Sequence, residues 1–158
     1  MSSPIISTEW LSERLLDPTI KIIEVSSKKG DEAGYTKKHI PGAFNFWWKD
    51  LCWHETDRQF VTPKQLAERL GDIGISDEDR LIIYGDPVQY GTYAFWALTM
   101  AGHPNLMLLD GGRTKWLEDQ LPVTEKQPET KSTTYEIQSP DQWMRLGRNN
   151  IRDKLGSD

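Results

Sequence analysis

Cysteine is nearly absent from this chain: Cys52 is the only one in 158 residues. One thiol closes no internal disulfide, so nothing asks for an oxidising compartment, and a cytoplasmic protein is expected. Excess positive charge is missing too. Nineteen Lys and Arg stand against 24 Asp and Glu, a net charge of -5. No basic stripe is visible, so a nucleic-acid partner is not expected. No apolar run approaches the length of a bilayer span. The opening residues, MSSPIISTEW, have neither the basic nor the apolar region of a leader peptide. What is present is material for a core. Hydrophobic residues make up 37% of the chain and seven are Trp, which argues against disorder. The length suits one ordinary domain with some residues left over.

A nucleophile is missing where one would be useful. Residues 80–101 read RLIIYGDPVQYGTYAFWALTMA. Leu81 to Tyr84 form an apolar run that predicts a buried strand. A loop from Gly85 to Gly91 follows, and an apolar helix is expected from near Thr92. Such a loop lies at the carboxyl end of a strand, where α/β proteins bind ligands. It also opens onto a helix amino-terminus, which favours an anion or a thiolate. The loop offers Gly85, Asp86, Gln89, Tyr90 and Gly91, and none of these is an activated nucleophile.

The remaining elements alternate. A helix is expected over Thr8–Leu16, capped by Thr8 and stopped by Asp17-Pro18. Lys21 to Val25 is a short strand. Asp31 to Lys38 allows one or two helical turns. His39-Ile40-Pro41-Gly42-Ala43 is a turn into a strand, Ala43 to Phe46. Residues 47–61 have no clean period and read as an aromatic-rich loop. Thr62-Pro63-Lys64-Gln65 is a strong helix start with a capping box, Leu66, Leu70 and Ile73 are its buried stripe, and Gly74 ends it. Leu106 to Leu109 is another strand, and Thr114 to Asp119 a short helix with Trp116 and Leu117 facing inward. Apolar strands alternating with helices predict an α/β fold with a mostly parallel sheet covered on both faces.

After Leu121 the character changes. Residues 124–133 are polar and aperiodic, so they read as a loosely packed linker following a domain of residues 1–123. In residues 134–158, Thr134 to Ile137 suggests a strand. Ser139-Pro140-Asp141-Gln142 is a second capping box, opening a helix through Trp143 and Leu146. A helix continues or resumes at Ile151 and Leu155. The expectation is a chain that stops at the threshold of a second domain.

The segments IKIIEVS, GYTKKHIPGAFNF, LIIYG and GHPNLMLLDGGRTKWL, taken together, resemble the rhodanese family of sulfurtransferases. The likeness covers about residues 7–123, and its most specific part is HIPGA combined with LLDGG-x₃-W. It implies a five-stranded rhodanese-like sheet with helices on both faces, and no cofactor. The chain is similar to the amino-terminal half of tandem thiosulfate sulfurtransferases, the half that lacks the catalytic cysteine. In this resemblance Gly85 takes the cysteine's place. The implied reaction passes sulfane sulfur from thiosulfate or 3-mercaptopyruvate to an acceptor such as cyanide, through a cysteine persulfide in the other half. The implied partner is that carboxyl-terminal domain. The alternative is a stand-alone module of the same fold that recognises a partner or an anion without catalysis.

Individual residues have plainer readings beside the sharper ones. Cys52, beside Trp53, reads as a partly buried thiol rather than a nucleophile. Cys52 and His54 supply two possible metal ligands where zinc needs three or four, so no metal is expected. His39 belongs to a structural turn, and His103 to a helix end. Asp110-Gly111-Gly112 lacks phosphate-loop spacing and is a turn. Asp86 is either an internal anion or, preferably, a helix-capping carboxylate. Trp47, Trp48 and Trp53 suit a core and an interface equally. With His54 and Arg58 they are the candidates for contact with a second domain.

Overall fold

Apolar runs build the sheet. Leu81, Ile82, Ile83 and Tyr84 have no exposed surface, as a strand covered on both faces requires. The computed structural model describes residues 4–54, 60–136, 151, 152 and 155. Its strands are β1 (Ile5–Ile6), β2 (Ile20–Ser26), β3 (Ala43–Trp47), β4 (Arg80–Asp86) and β5 (Leu106–Leu109). They form one five-stranded sheet in the order β1-β5-β4-β2-β3, and every pairing is parallel. β1 is the strand the sequence does not announce. Two residues carry no period, and Ile5 and Ile6 become a strand only by pairing with Leu108 and Leu109.

The helices are α1 (Thr8–Ser12), α2 (Trp48–Cys52), α3 (Pro63–Asp72), α4 (Val88–Met100) and α5 (Gly112–Glu118). Two cores result, one on each face of the sheet. Leu11, Ile22, Tyr35, Ile82, Tyr84 and Trp116 pack together on the side of α1 and α5. Ile23, Val25, Leu51, Leu70, Ile83 and Leu98 pack on the side of α2, α3 and α4. The alternation along β2 and β4 follows from successive side chains pointing to opposite faces.

Several local expectations are corrected. α1 ends at Ser12, and Ser7 caps it by accepting the Trp10 N–H at 3.1 Å. Thr8 instead donates its hydroxyl to Asp119 at 2.6 Å. α2 lies inside the stretch read as loop, because five residues are too few to show a helical period. α3 carries its capping box as expected: Thr62 Oγ1 accepts from the Gln65 N–H, and Gln65 Oε1 from the Thr62 N–H, both at 3.2 Å. α4 begins at Val88, not near Thr92. α5 begins at Gly112, and only Trp116 faces inward; Leu117 is 39% exposed. Adjacent residues lie about 100° apart on a helix, so one short helix cannot bury both.

Register gathers the functional edge. Ser26 of β2 stands level with Asp86 of β4 and Trp47 of β3, so three strands end together. The Ser27 N–H donates to the Asp86 carbonyl at 2.9 Å and ties two of these ends. The segment read as a linker lies against the domain: Thr124 bridges His39, and the Thr133 N–H donates to the Gly71 carbonyl at 2.8 Å. Thr134 to Glu136 form no strand. Ile137, the capping box at 139–142 and the helix through Trp143 and Leu146 fall outside the described residues. Ile151 and Arg152 are helical. Among the described residues, no helix is long and apolar enough to cross a membrane.

Candidate functional site

The corner between β4 and α4 is closed, where the sequence suggested an open loop. Gly85 and Asp86 still belong to β4, and α4 starts two residues later, at Val88. Gln89, Tyr90 and Gly91 are therefore helical, and only Pro87 separates strand from helix. A Cβ on Gly85 would meet Gly91 N at 2.3 Å, the Pro87 carbonyl at 2.5 Å and the Val88 carbonyl at 2.9 Å. A Cβ on Gly91 would meet Gly85 N at 2.6 Å. Gly112, opening α5, closes the third side: its Cβ would stand 2.9 Å from the Gly85 carbonyl. Real Cβ atoms do not approach backbone this closely, so three glycines let strand, helix and helix touch main chain to main chain. A side chain at position 85 would require main chain to move.

Asp86 does not cap α4; Pro87 is the N-cap and makes no side-chain capping bond. The Asp86 carboxylate instead faces Arg113 of α5, 3.4 Å from its Nε. Arg113 also reaches Glu24 Oε2 at 3.2 Å and donates to the Gly34 carbonyl at 2.9 Å. Gly34 lies under this pair: a Cβ there would stand 2.8 Å from Asp86 Oδ2 and 2.9 Å from Arg113 Nε, so both side-chain ends would have to shift.

Glu24 is the centre of this network. It is fully buried in the middle of β2 and accepts the Tyr84 hydroxyl proton at 2.5 Å. Tyr84 in turn accepts the Ile40 N–H at 3.3 Å. Asn45 donates to Ser26 Oγ at 2.6 Å and to the Glu24 carbonyl at 3.2 Å. Burial pushes the Glu24 carboxyl up to about 7, against the opposing pull of the Tyr84 hydroxyl and Arg113. Burial and the Glu24 charge push the Tyr84 phenol well above its usual value. Neither Glu24 nor Arg113 stands among the sequence candidates. The available signal is Glu24 itself: a carboxylate inside the apolar run Ile22-Ile23-Glu24-Val25 is almost never buried unpaired.

The tryptophans divide. Trp48 and Trp53 join a cluster of half-buried rings with Phe60, Tyr90, Tyr93 and Trp96. Trp48 stands 6.0 Å from Trp53, 5.6 Å from Tyr90 and 5.9 Å from Tyr93. Phe60 stacks on Tyr93 at 5.3 Å and meets Trp96 edge-on at 5.1 Å. Trp47 stays apart: its indole N–H donates to the Ser27 carbonyl at 3.1 Å, and Lys29 and Lys49 lie over its ring. His54 lines a groove of about 430 Å³ with Phe46, Trp47, Lys49, Asp50, Trp53 and Arg69. Arg58 lies outside the described residues.

Cys52 is fully buried, and burial pushes its thiol up to about 12 with only partial relief from Arg69. A thiol so held is neither ionised nor reachable, which removes it as a nucleophile. Among the described residues, no three His, Cys, Asp or Glu side chains gather as a metal site would need. Gln89 is exposed on the first turn of α4. Chemically, the corner offers a buried ion-pair network and an aromatic surface, and no reactive group.

The chain is similar to known proteins in sequence and in fold. Over 152 residues the chain is 32% identical to the sulfur carrier protein TtuD of Thermus thermophilus, covering 96% of this chain and 52% of that protein. It is also 32% identical over 154 residues to a Saccharopolyspora erythraea protein named "Putative thiosulfate sulfurtransferase", covering 97% of this chain and 54% of that one. The chain thus spans about half the length of the curated relatives it matches. Its fold superposes on SseA of Escherichia coli, solved as a 3-mercaptopyruvate sulfotransferase, with a TM-score of 0.80 at 23% identity over 98% of this chain and 61% of that one. Residues 7–119 match the rhodanese-like domain, and this chain belongs to that family.

Proposed function

We propose that this chain is the non-catalytic half of a tandem sulfurtransferase that works in the cytoplasm. The observation that carries the reading is the closed corner at Gly85, where the relatives' chemistry would need a thiolate and three glycines leave no room for one. In the whole protein, a cysteine thiolate in the other half attacks the outer sulfur of thiosulfate. The sulfur–sulfur bond breaks, sulfite leaves, and a persulfide remains. Cyanide then takes that sulfur as thiocyanate and returns the thiolate. With 3-mercaptopyruvate as donor, the same persulfide forms and pyruvate leaves.

This half contributes scaffold and a contact surface. Trp48 of α2, Tyr93 and Trp96 of α4, and Trp53 and Phe60 from the segment after α2 form an aromatic cluster, and aromatic anchors dominate binding energy at interfaces. The half-length coverage of the relatives supports a second domain to cover it. The alternative, a stand-alone module that recognises a partner or an anion without catalysis, predicts a chain that ignores any second half.

The test uses the chain and a separately expressed carboxyl-terminal half from the same reading frame. Alone, the 158-residue chain forms no thiocyanate from thiosulfate and cyanide at a catalytic rate. Mixed with the other half it associates, and Trp48→Ala or Trp53→Ala weakens association about tenfold or more. Catalytic turnover by the chain alone, abolished by Cys52→Ser, would overturn the reading. So would a half that ignores its partner.

A further inference from the structure

The polar segment after Leu121 crosses the domain from one face to the other. Leu121 packs against the core under α1 and α5, and Tyr135 against the core under α3 and α4. The holds between them lie along the amino ends of the strands. Just before β3, the His39 N–H donates to the Thr124 carbonyl and the Thr124 N–H to the His39 carbonyl, both at 2.9 Å. The Lys126 carbonyl lies 3.0 Å from His39 Nε2. Just before β4, the Glu136 N–H donates to Asp77 Oδ1 at 3.0 Å. Just before β5, Tyr135 Oη lies 2.6 Å from His103 Nδ1. At the end of α3, the Thr133 N–H donates to the Gly71 carbonyl at 2.8 Å. The edge where Ser26, Trp47 and Asp86 end is the opposite one.

Two glycines are fitted to this path. A Cβ on Gly71 would stand 2.7 Å from the Thr133 carbonyl oxygen, and one on Gly74 2.5 Å from the Lys131 carbonyl oxygen. Gly71 lies inside α3, where glycine is less favourable than alanine. The main chain lying on it accounts for the choice. We propose that residues 124–136 are a fixed strap and not a free linker, and that the strap starts the second half on the side of α2, α3 and α4, where that half covers the aromatic cluster. This rests on the tandem reading above and adds the side from which the partner docks.

Both faces offer apolar surface to a partner. On the α1 and α5 side, Leu16 is 97% exposed and Leu117 39%. On the other side stand the half-buried rings of the cluster. A chain free from Leu121 onward could lead to either. The strap's far end separates them. Tyr135 packs against the same core as Trp48, Phe60, Tyr90 and Tyr93. It also meets His103, just past α4, and Trp96 stands about one turn before the end of that helix at Met100. With the far end held, whatever follows Glu136 begins at high effective concentration beside the cluster and would have to round the sheet to reach Leu117.

Two measurements test the two parts. In the 158-residue chain, Gly71→Ala should release the strap's far end. The Thr133 amide is expected to lose about tenfold or more of its protection from hydrogen exchange, while the Thr124 amide keeps its own. The Leu70 amide should also keep its protection, which separates release of the strap from unfolding of α3. In the intact two-half protein, a photoactivatable benzoylphenylalanine replacing Trp96 should cross-link to the other half on irradiation, and one replacing Leu117 should not. Unchanged Thr133 protection in Gly71→Ala would overturn the fixed strap. Capture from the Leu117 site, alone or alongside the Trp96 site, or capture from neither, would overturn the docking side. Both readouts are independent of thiocyanate formation, by which the tandem reading is tested.

Discussion

A Gly85→Cys variant is expected to gain no sulfurtransferase activity and to lose about 3 kcal/mol or more of stability. The substitution puts a thiol where the sequence resemblance sets the family's cysteine, at a position whose surroundings leave no space for its Cβ. Its Cβ would stand 2.3 Å from Gly91 N and 2.5 Å from the Pro87 carbonyl. Both are main-chain atoms at a strand–helix junction, so no flexible side chain can swing aside. Relief requires α4 to retreat from the sheet, and α4 carries Ala94, Ala97 and Leu98 of the core. Gly91→Ala should behave alike, because its Cβ meets Gly85 N at 2.6 Å from the other side. Urea unfolding of both variants measures the loss. A Gly85→Cys protein of unchanged stability would show that the corner opens easily.

Arg113→Met should be costly in a way that depends on pH. Removing one partner of a buried ion pair costs about 3–5 kcal/mol, because the remaining charge is left uncompensated. Arg113 serves Glu24, Asp86 and the Gly34 carbonyl, so its loss strands a carboxylate with no exposed surface. Glu24 escapes by staying protonated. Burial already pushes it up to about 7 from 4.5 in the intact protein. A carboxyl raised on folding contributes stability that is present below 4.5 and is lost as pH rises through about 7, a span worth on the order of 3 kcal/mol. The cost of Arg113→Met should therefore be largest near pH 8 and shrink by about pH 5. Glu24→Gln removes the titrating group and should flatten this share of the pH dependence. Urea midpoints across that range decide it. A cost for Arg113→Met that does not change with pH would contradict the role given to Glu24.

The sheet was legible because its strands are continuous apolar runs, and a run such as Leu81-Ile82-Ile83-Tyr84 states its own burial. β1 was not, since Ile5-Ile6 takes its strand character from β5. α2 was hidden by brevity. At the site, the residue types of the corner were legible, but its closure was not. It depends on a distance between Gly85, Gly91 and Gly112, which no spacing in the sequence reports. Glu24 and Arg113 are 89 residues apart, and only the fold makes them partners. The attachment of the segment 124–136 to the domain was hidden for a related reason. Its anchors are backbone groups, two histidines and Tyr135, so an absence of apolar residues said little about its attachment.

On the proposed function, this chain carries no sulfur itself. The most direct measurement is the intact mass of the 158-residue chain after incubation with thiosulfate, without reductant. Cys52 is the only thiol, it has no exposed surface, and burial holds it protonated, up to about 12. The account predicts an unchanged mass and a fully unmodified Cys52. A mass increase of one sulfur atom, located on Cys52 and released by cyanide as thiocyanate, would contradict it.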